Sequence, residues 1–480
     1  MMPFFELSHK DVLTMLICKP DFVVKYITEL NTSLKNLKTS SLTQIQCNWL
    51  VTVLMGLIVA GSLNWAAFTR RSLGVCNESQ LRWMFRYAKI RWDLLLQASI
   101  THLISRYGIT MGVLVLDDSD KMRSRNTSKL AGVHKVKDKK TGGWFMGQEF
   151  VFLILVTNTV TIPVGFRFYI PNPALKAWKK INKAEIKAGI PSKERTKKPA
   201  PNPKYPSKKT LALQLLEEFS TNHPEVYIQA VLADALYGDA NFMDTASKVT
   251  TCPQIISQLR TNQLVRNRNG KNTSLKSYFS RTSGVETQLS IRGGTEKNVT
   301  LLAARLIVKS HGKKRFVIAL KYEGETEYRF IVATALSWRH KDITRAYSLR
   351  WLVEVFIADW KGHEGWNTLS KQQGDEGAMR GMTLSLLCDH LLLLHPDQFA
   401  RLKNKQPGMP VGCLIEHINA AALLDGVSHI VNADEPKSEF EKFSKLMKAS
   451  LPDRNSSKHM AGRDLGRLAP TTSLKYQKAA

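Results

Sequence analysis

The sequence predicts an α/β protein: a core of buried strands set between helical N- and C-terminal regions. Three observations carry this. Apolar residues recur at helical spacing through most of residues 1–105. Continuous apolar runs rich in Val, Ile, Leu and Phe follow between 112 and 233, as expected of central strands covered on both faces. Short alternating runs fill 253–336 before helical periodicity returns at about 342. A chain of 480 residues has room for two or three domains. The expected division is a helical region at 1–105, a core at 106–364 interrupted by a β-rich insertion at about 253–336, and a helical region at 365–480 ending in a mobile basic tail.

The elements follow in order. Residues 23–37, 45–59 and 81–96 carry helical periodicity. Within this region, 63–87 reads as a candidate helix-turn-helix. Trp65, Ala66 and Phe68 lie on its first helix, and Leu73-Gly74-Val75 form the turn. A second helix opens at an Asn77 N-cap and projects Gln80, Arg82 and Arg86. Such a unit places its second helix in the DNA major groove; an ordinary helical hairpin with a glycine turn has the same pattern. GVLVLDDSD at 112–120 is a strand ending in acids. The stretch 147–170 is two strands joined at Thr157-Asn158-Thr159. Residues 171–209 are basic and carry five prolines between Pro191 and Pro206, so a loop or partly disordered excursion is expected. A helix at 211–219 and a strand at 226–238 ending near Asp234 follow. An antiparallel region comes next, then one helix at about 342–361, then helical segments near 379–395, 411–424 and 437–449.

Charge bounds the partner. The chain carries 69 Lys and Arg against 40 Asp and Glu, a net +29. That imbalance points to a polyanion, nucleic acid before an anionic membrane surface. The most apolar run, 49–60, is too short to span a bilayer and reads as a buried helix. The N-terminus lacks the charged and apolar regions of a signal peptide. None of the six cysteines stands in a C-x-x-C pair, so neither a zinc site nor a disulfide framework is expected, and the compartment expected is the cytosol.

The most specific pattern is Tyr347, Arg350, Glu354 and Lys361, spaced Y-x2-R-x3-E-x6-K. On one continuous helix all four project from an arc roughly 60° wide. Leu349, Val353, Phe356 and Trp360 fall on a neighbouring, core-facing arc. Charged residues at such spacing ordinarily form solvated i,i+4 pairs. At roughly 5% per residue type, however, the full spacing arises by chance in about three chains of this length per thousand. Asp117 and Asp234 each follow an apolar strand, where functional groups of open α/β sheets collect. Three carboxylates brought together need neutralising. Hard oxygen ligands select Mg²⁺ or Mn²⁺, and two such ions serve phosphodiester cleavage. No P-loop is present.

Asp117 in VLVLDDSD, Asp234 in VLADALYGD and the 347–361 pattern together resemble the DDE transposases of bacterial insertion sequences, most closely the insertion sequence four group with its tyrosine-arginine-glutamate-lysine motif. The resemblance covers about 112–361. It implies a ribonuclease-H-like catalytic core with a β-rich insertion between the second Asp and the Glu. It implies that Asp117, Asp234 and Glu354 hold two Mg²⁺ or Mn²⁺ ions and are catalytic. Tyr347, Arg350 and Lys361 would contact the DNA backbone near the cut, and Trp338 would stack on a flipped base. The implied reaction is cut-and-paste transposition: water cleaves at the element end, the new 3′-hydroxyl attacks the other strand, and the freed end joins target DNA. The implied partners are the terminal inverted repeats and target duplex, met by a dimer assembled on DNA in the bacterial cytoplasm at the nucleoid, with no membrane. Asp117-Asp118-Ser119 leaves two choices for the first acid. Asp117 has the family's spacing to Ser119, and strand alternation sends Asp118 to the opposite face. Two rivals share these features: a DNA-binding regulator or element remnant without catalysis, and a metal-dependent nuclease that lacks strand transfer.

Overall fold

The computed structural model describes residues 20–450 apart from 39–40, 62, 73–75, 124–128, 139–140, 268, 292–294 and 365–371. The candidate turn Leu73-Gly74-Val75 and the expected basic tail after 450 lie outside the described residues.

Five helices open the chain: α1 (Asp21–Lys38), α2 (Gln44–Ala60), α3 (Trp65–Arg71), α4 (Glu78–Tyr87) and α5 (Trp92–Tyr107). The run expected at 81–96 is thus two helices, because α4 ends at an extended Ala88. A capping box opens α2: Gln46 N–H donates to Thr43 Oγ1, and Thr43 N–H donates back to Gln46 Oε1. Left-handed Gly61, at φ 60°, closes it. Strands β1 (Met111–Met122), β2 (His134–Lys137), β3 (Trp144–Val156) and β4 (Thr161–Tyr169) follow. Next come α6 (Pro173–Lys187), α7 (Lys208–Asn222), β5 (Tyr227–Ala233), α8 (Ala240–Val249) and β6 (Ile255–Leu259). A β-rich stretch holds β7 (Leu264–Arg266), β8 (Asn272–Ser274), α9 (Leu275–Phe279), β9 (Val285–Ile291), β10 (Thr295–Val308), β11 (Lys313–Tyr322) and β12 (Arg329–Ala333). The chain then runs through α10 (His340–Ser348), α11 (Trp351–His363), α12 (Gly374–Leu393), α13 (Pro396–Lys403), α14 (Val411–Val431) and α15 (Pro436–Ser450).

The architecture is mixed α/β around one large mixed sheet of twelve strands among the described residues, ordered β2-β3-β1-β5-β6-β12-β11-β10-β7-β8, with β4 on β3 and β9 on β10. Strands β1 and β3 are antiparallel, whereas β1, β5 and β6 run parallel. Two expectations change here. The first strand of the expected antiparallel region, β6, lies parallel to β5, with Val231 opposite Ile255. The segment 171–209 is not a featureless loop but holds the 15-residue helix α6.

Alternation divides the core between the two sheet faces. Leu114, Leu116, Val151 and Leu153 pack with Leu215 and Phe219 of α7 and Phe242 of α8. Val113, Val115, Phe150 and Phe152 pack with Val353, Phe356 and Trp360 of α11. A third core unites both ends of the chain: α1–α5 share it with Leu384 and Leu391 of α12 and with Leu414 and Ile418 of α14. Buried His390 fixes this joint. Its Nδ1 lies 2.7 Å from Ser99 Oγ, and its Nε2 lies 2.9 Å from Pro163 O of β4. Burial pulls its pKa down to about 4, so the ring is neutral.

Candidate active site

The β1–β5 ladder builds the centre of the site. Val115 stands opposite Leu232 and Leu116 opposite Ala233, and there the pairing stops. Asp117 and Asp234 are the next residues on two adjacent parallel strands. Val115 and Leu232 face the α11 side, so period-two alternation brings Asp117 and Asp234 out on that same side. Asp234 also caps the short turn after β5, accepting the Leu236 N–H at 2.8 Å. Among the described residues, one carboxylate oxygen from each of Asp117, Asp118 and Asp234 lies within 4.8 Å of the others.

Asp118 leaves the strand toward α7, as alternation requires. Lys208 in the first turn of α7 donates to it at 2.6 Å and to Glu149 of β3 at 2.7 Å. Glu149 also meets His134 Nε2 at 2.8 Å. Burial resists ionisation of Glu149, but His134 and Lys208 overcome it and hold the pKa down at about 2. Burial likewise opposes the Lys208 charge, yet Asp118 and Glu149 raise its pKa. Asp117 behaves in the opposite way. Burial pushes it up to about 6 despite Arg350, and the neighbouring Asp234 and Asp118 add to the rise.

The Tyr-Arg-Glu-Lys segment faces this centre, though not on one helix. A tightened turn separates α10 from α11: Arg350 N–H bonds Tyr347 O and Val353 N–H bonds Arg350 O, both i→i−3. The backbone stays in the right-handed region at Leu349 and Arg350, so the four side chains keep a common direction. Arg350 Nη1 donates to Asp117 at 2.7 Å, and Nη2 donates to Glu354 at 3.0 Å. Lys361 Nζ donates to Asp120 O of β1 at 2.6 Å. Tyr347 OH lies 3.4 Å from Gln258 Oε1 of β6. Burial pushes the Tyr347 phenol up to about 12, with Asp234 and Asp117 reinforcing it against Arg350. The expected apolar stripe is buried at Val353, Phe356 and Trp360.

Glu354 stands apart from the acid group. Its side chain is 51% exposed and paired to Arg350, and Asp118 fills the third place beside Asp117 and Asp234. Trp338 lies in the loop after β12, half-buried, rather than on a strand of the β-rich stretch. There it lines a basic groove of about 1150 Å³ with Arg266, Arg305, Lys314, Lys341 and Arg345. Arg82 and Arg86 project from α4 as expected, both exposed. Arg82 pairs with Glu78, and Asn77 caps the helix through the Ser79 N–H. Nothing in the local spacing singles out Lys208. Glu149, an acid inside the apolar run of β3, is the visible clue to that network.

An all-oxygen carboxylate group with excess negative charge suits a hard divalent cation. Arg350 partly balances that charge from one side and Lys208 from the other. Among the described residues, no helix is long and apolar enough to cross a membrane.

Comparison with known proteins gives two family matches. A family model described as a DDE superfamily endonuclease matches residues 46–284, and one described as a transposase DDE domain matches 201–388. The first match contains Asp117 and Asp234; the second contains Asp234 and Glu354. A piggyBac transposase synaptic complex with hairpin DNA aligns over 92% of this chain and 85% of that chain, at 10% identity and a TM-score of 0.40. No curated protein matches the sequence. The two matches overlap at 201–284 and together span residues 46–388.

Proposed function

We propose an active transposase that binds the ends of its mobile element, cleaves them with divalent metal and joins them to target DNA, a reading supported by the acid group and the two family matches. The observation that carries this reading is the placement of Asp117 and Asp234 side by side at the ends of parallel strands, with Arg350 linking Asp117 to Glu354. The strand order β4-β3-β1-β5-β6, antiparallel then parallel, supports a ribonuclease-H-like core. The β7–β12 stretch between Asp234 and Glu354 suits the insertion of the insertion sequence four group. The helical ends carry the remaining DNA contacts and pairing of two subunits.

Asp117 and Asp234 would hold Mg²⁺ or Mn²⁺, with Asp118 or Glu354 as the third carboxylate. Two cations held there would supply an activated water and stabilise the leaving oxygen. The chain's own residues do the positioning. Arg350 has its two guanidinium nitrogens on Asp117 and Glu354, so a scissile phosphate entering between them would exchange one carboxylate partner for itself. Lys361, bonded to Asp120 O of β1, and Tyr347, beside Gln258 of β6, would hold the backbone near that point. Arg82 and Arg86 of α4 would read or hold the terminal repeat, and Trp338, at the rim of its basic groove, would stack on an unpaired base.

The test is cleavage of a duplex carrying the flanking repeats, in Mg²⁺, Mn²⁺ or EDTA, by the wild type and by Glu354→Gln. Metal-dependent cuts at the repeat boundary, lost in the variant while binding persists, are expected. Normal cutting by Glu354→Gln would remove Glu354 from the catalytic set and leave Asp118 as the third carboxylate. A second reading, a DNA-binding remnant without catalysis, draws on the position of Glu354 outside the acid group. Wild type that binds the repeats and cuts under no metal would establish it.

A further inference from the structure

The segment between β4 and α7 forms an arm with a built orientation. Residues 171–207 carry ten basic side chains against two acidic, a net +8. Helix α6 has no buried side chain, so no packing against the rest of the protein explains it. Its five lysines, 176, 179, 180, 183 and 187, fall within an arc of about 100°. All five are exposed, and none forms a salt bridge with a carboxylate among the described residues. Trp178 and Glu185 lie on the opposite side of the helix. Trp178 Nε1 donates to Thr196 O at 2.7 Å, and the Thr196 N–H donates to the Glu185 carboxylate at 3.2 Å. The returning chain thereby covers the back of α6 and turns its lysine face outward.

Both roots of the arm stand at the candidate active site. Tyr169 ends β4 with its ring centroid 5.3 Å from Lys208 Nζ, and Lys208, where the arm returns, is bonded to Asp118. Five like charges on one helix face repel each other. A polyanion laid along them removes that repulsion and releases its own counterions. A 15-residue helix is about 22 Å long, which matches more than half a turn of duplex.

We propose that the α6 arm is a clamp for duplex DNA, gripping the phosphate backbone of the strand pair that leads into the acid group. The clamp rests on the transposase reading only for what the duplex is; its grip is measured by binding, which needs no cleavage. The test uses the full-length protein and a repeat-bearing duplex, titrated at several salt concentrations. The fourfold variant Lys176→Gln, Lys179→Gln, Lys180→Gln and Lys183→Gln is expected to bind at least about tenfold more weakly. Its log K against log salt plot should flatten by about two to four, since each lost phosphate contact removes about 0.9. A matched variant removing Lys437, Lys442, Lys445 and Lys448 of α15 controls for net charge. Trp178→Ala keeps every charge but frees the helix from Thr196, and should also weaken binding. Circular dichroism checks that all variants remain folded.

Unchanged affinity and salt slope in the fourfold variant, or equal losses in the α15 control, would overturn the clamp. So would intact DNA binding accompanied by loss of a protein oligomer, which would make the arm a subunit contact. A wild type that binds through the arm but neither cuts nor joins DNA would leave the clamp standing and remove the transposase reading.

Discussion

Asp117 sets the pH response of the acid group at the scale of one residue. Its pKa in the folded protein is about 6, above the ordinary 3.8, so the folded state holds the proton more tightly than the unfolded chain. The stability this gives is full below about pH 4 and is lost as pH rises through 6. Asp117→Asn should therefore raise unfolding free energy at pH 8 by about 1–3 kcal/mol and leave it unchanged at pH 4. Thermal melts at the two pH values test this, and equal shifts at both would remove the ionisation account. Divalent metal should act in the same direction. At a hundredfold excess over Kd, Mn²⁺ should stabilise the wild type at pH 8 by about 2.7 kcal/mol and Asp117→Asn far less. Asp117 and Asp234 were legible in the sequence because an apolar run that stops at an acid marks the end of a buried strand. Lys208 was not legible, because its partners Asp118 and Glu149 are 90 and 59 positions away and only the fold brings them together.

At the scale of the element, α11 is held by Trp360. Its ring meets Phe150, Phe152 and Phe356 at centroid distances of 5.1–6.3 Å, and its Nε1 donates to Ser385 Oγ of α12 at 2.8 Å. Trp360→Phe keeps the stack and loses the bond, at a cost of about 1–3 kcal/mol. Trp360→Ala opens a cavity costing about 3–5 kcal/mol. Urea unfolding of both variants checks the order, and a Phe variant as damaged as Ala would place the whole effect on the indole bond. Periodicity foretold this stripe, since burial repeats with the helix. It could not foretell the tightened turn at Leu349 and Arg350, whose residues lack the Gly or Pro that usually announces a break. In 171–209 the prolines signal a loop, while the lysines of α6 recur at helical spacing. All five of those expected prolines lie after the helix, from Pro191 onward, and its own Pro173 stands at the first turn, where proline is tolerated.

At the scale of the whole molecule, two acids are buried between α11 and α12. Glu364, at the end of α11, and Asp389 of α12 are both buried and interact with each other. Burial pushes Asp389 up to about 7 and Glu364 well above its usual range. Both are raised acids, so their contribution is present at low pH and is lost as pH rises through 7. Asp389→Asn should stabilise the protein at pH 8.5 by about 1–3 kcal/mol and do nothing at pH 4; chemical unfolding at both values tests it. The twelve-strand sheet has a consequence of its own. Strand β12 is zipped to β6 from Ile256–Ala333 to Leu259–Phe330, so the β-rich stretch cannot swing against the acid-bearing strands without unzipping that ladder. In the proposed reaction the protein then works as a gauge with one fixed jaw. The distance from basic groove to acid group is a machined length, and any bending needed to bring a phosphate to the acids must come from the DNA.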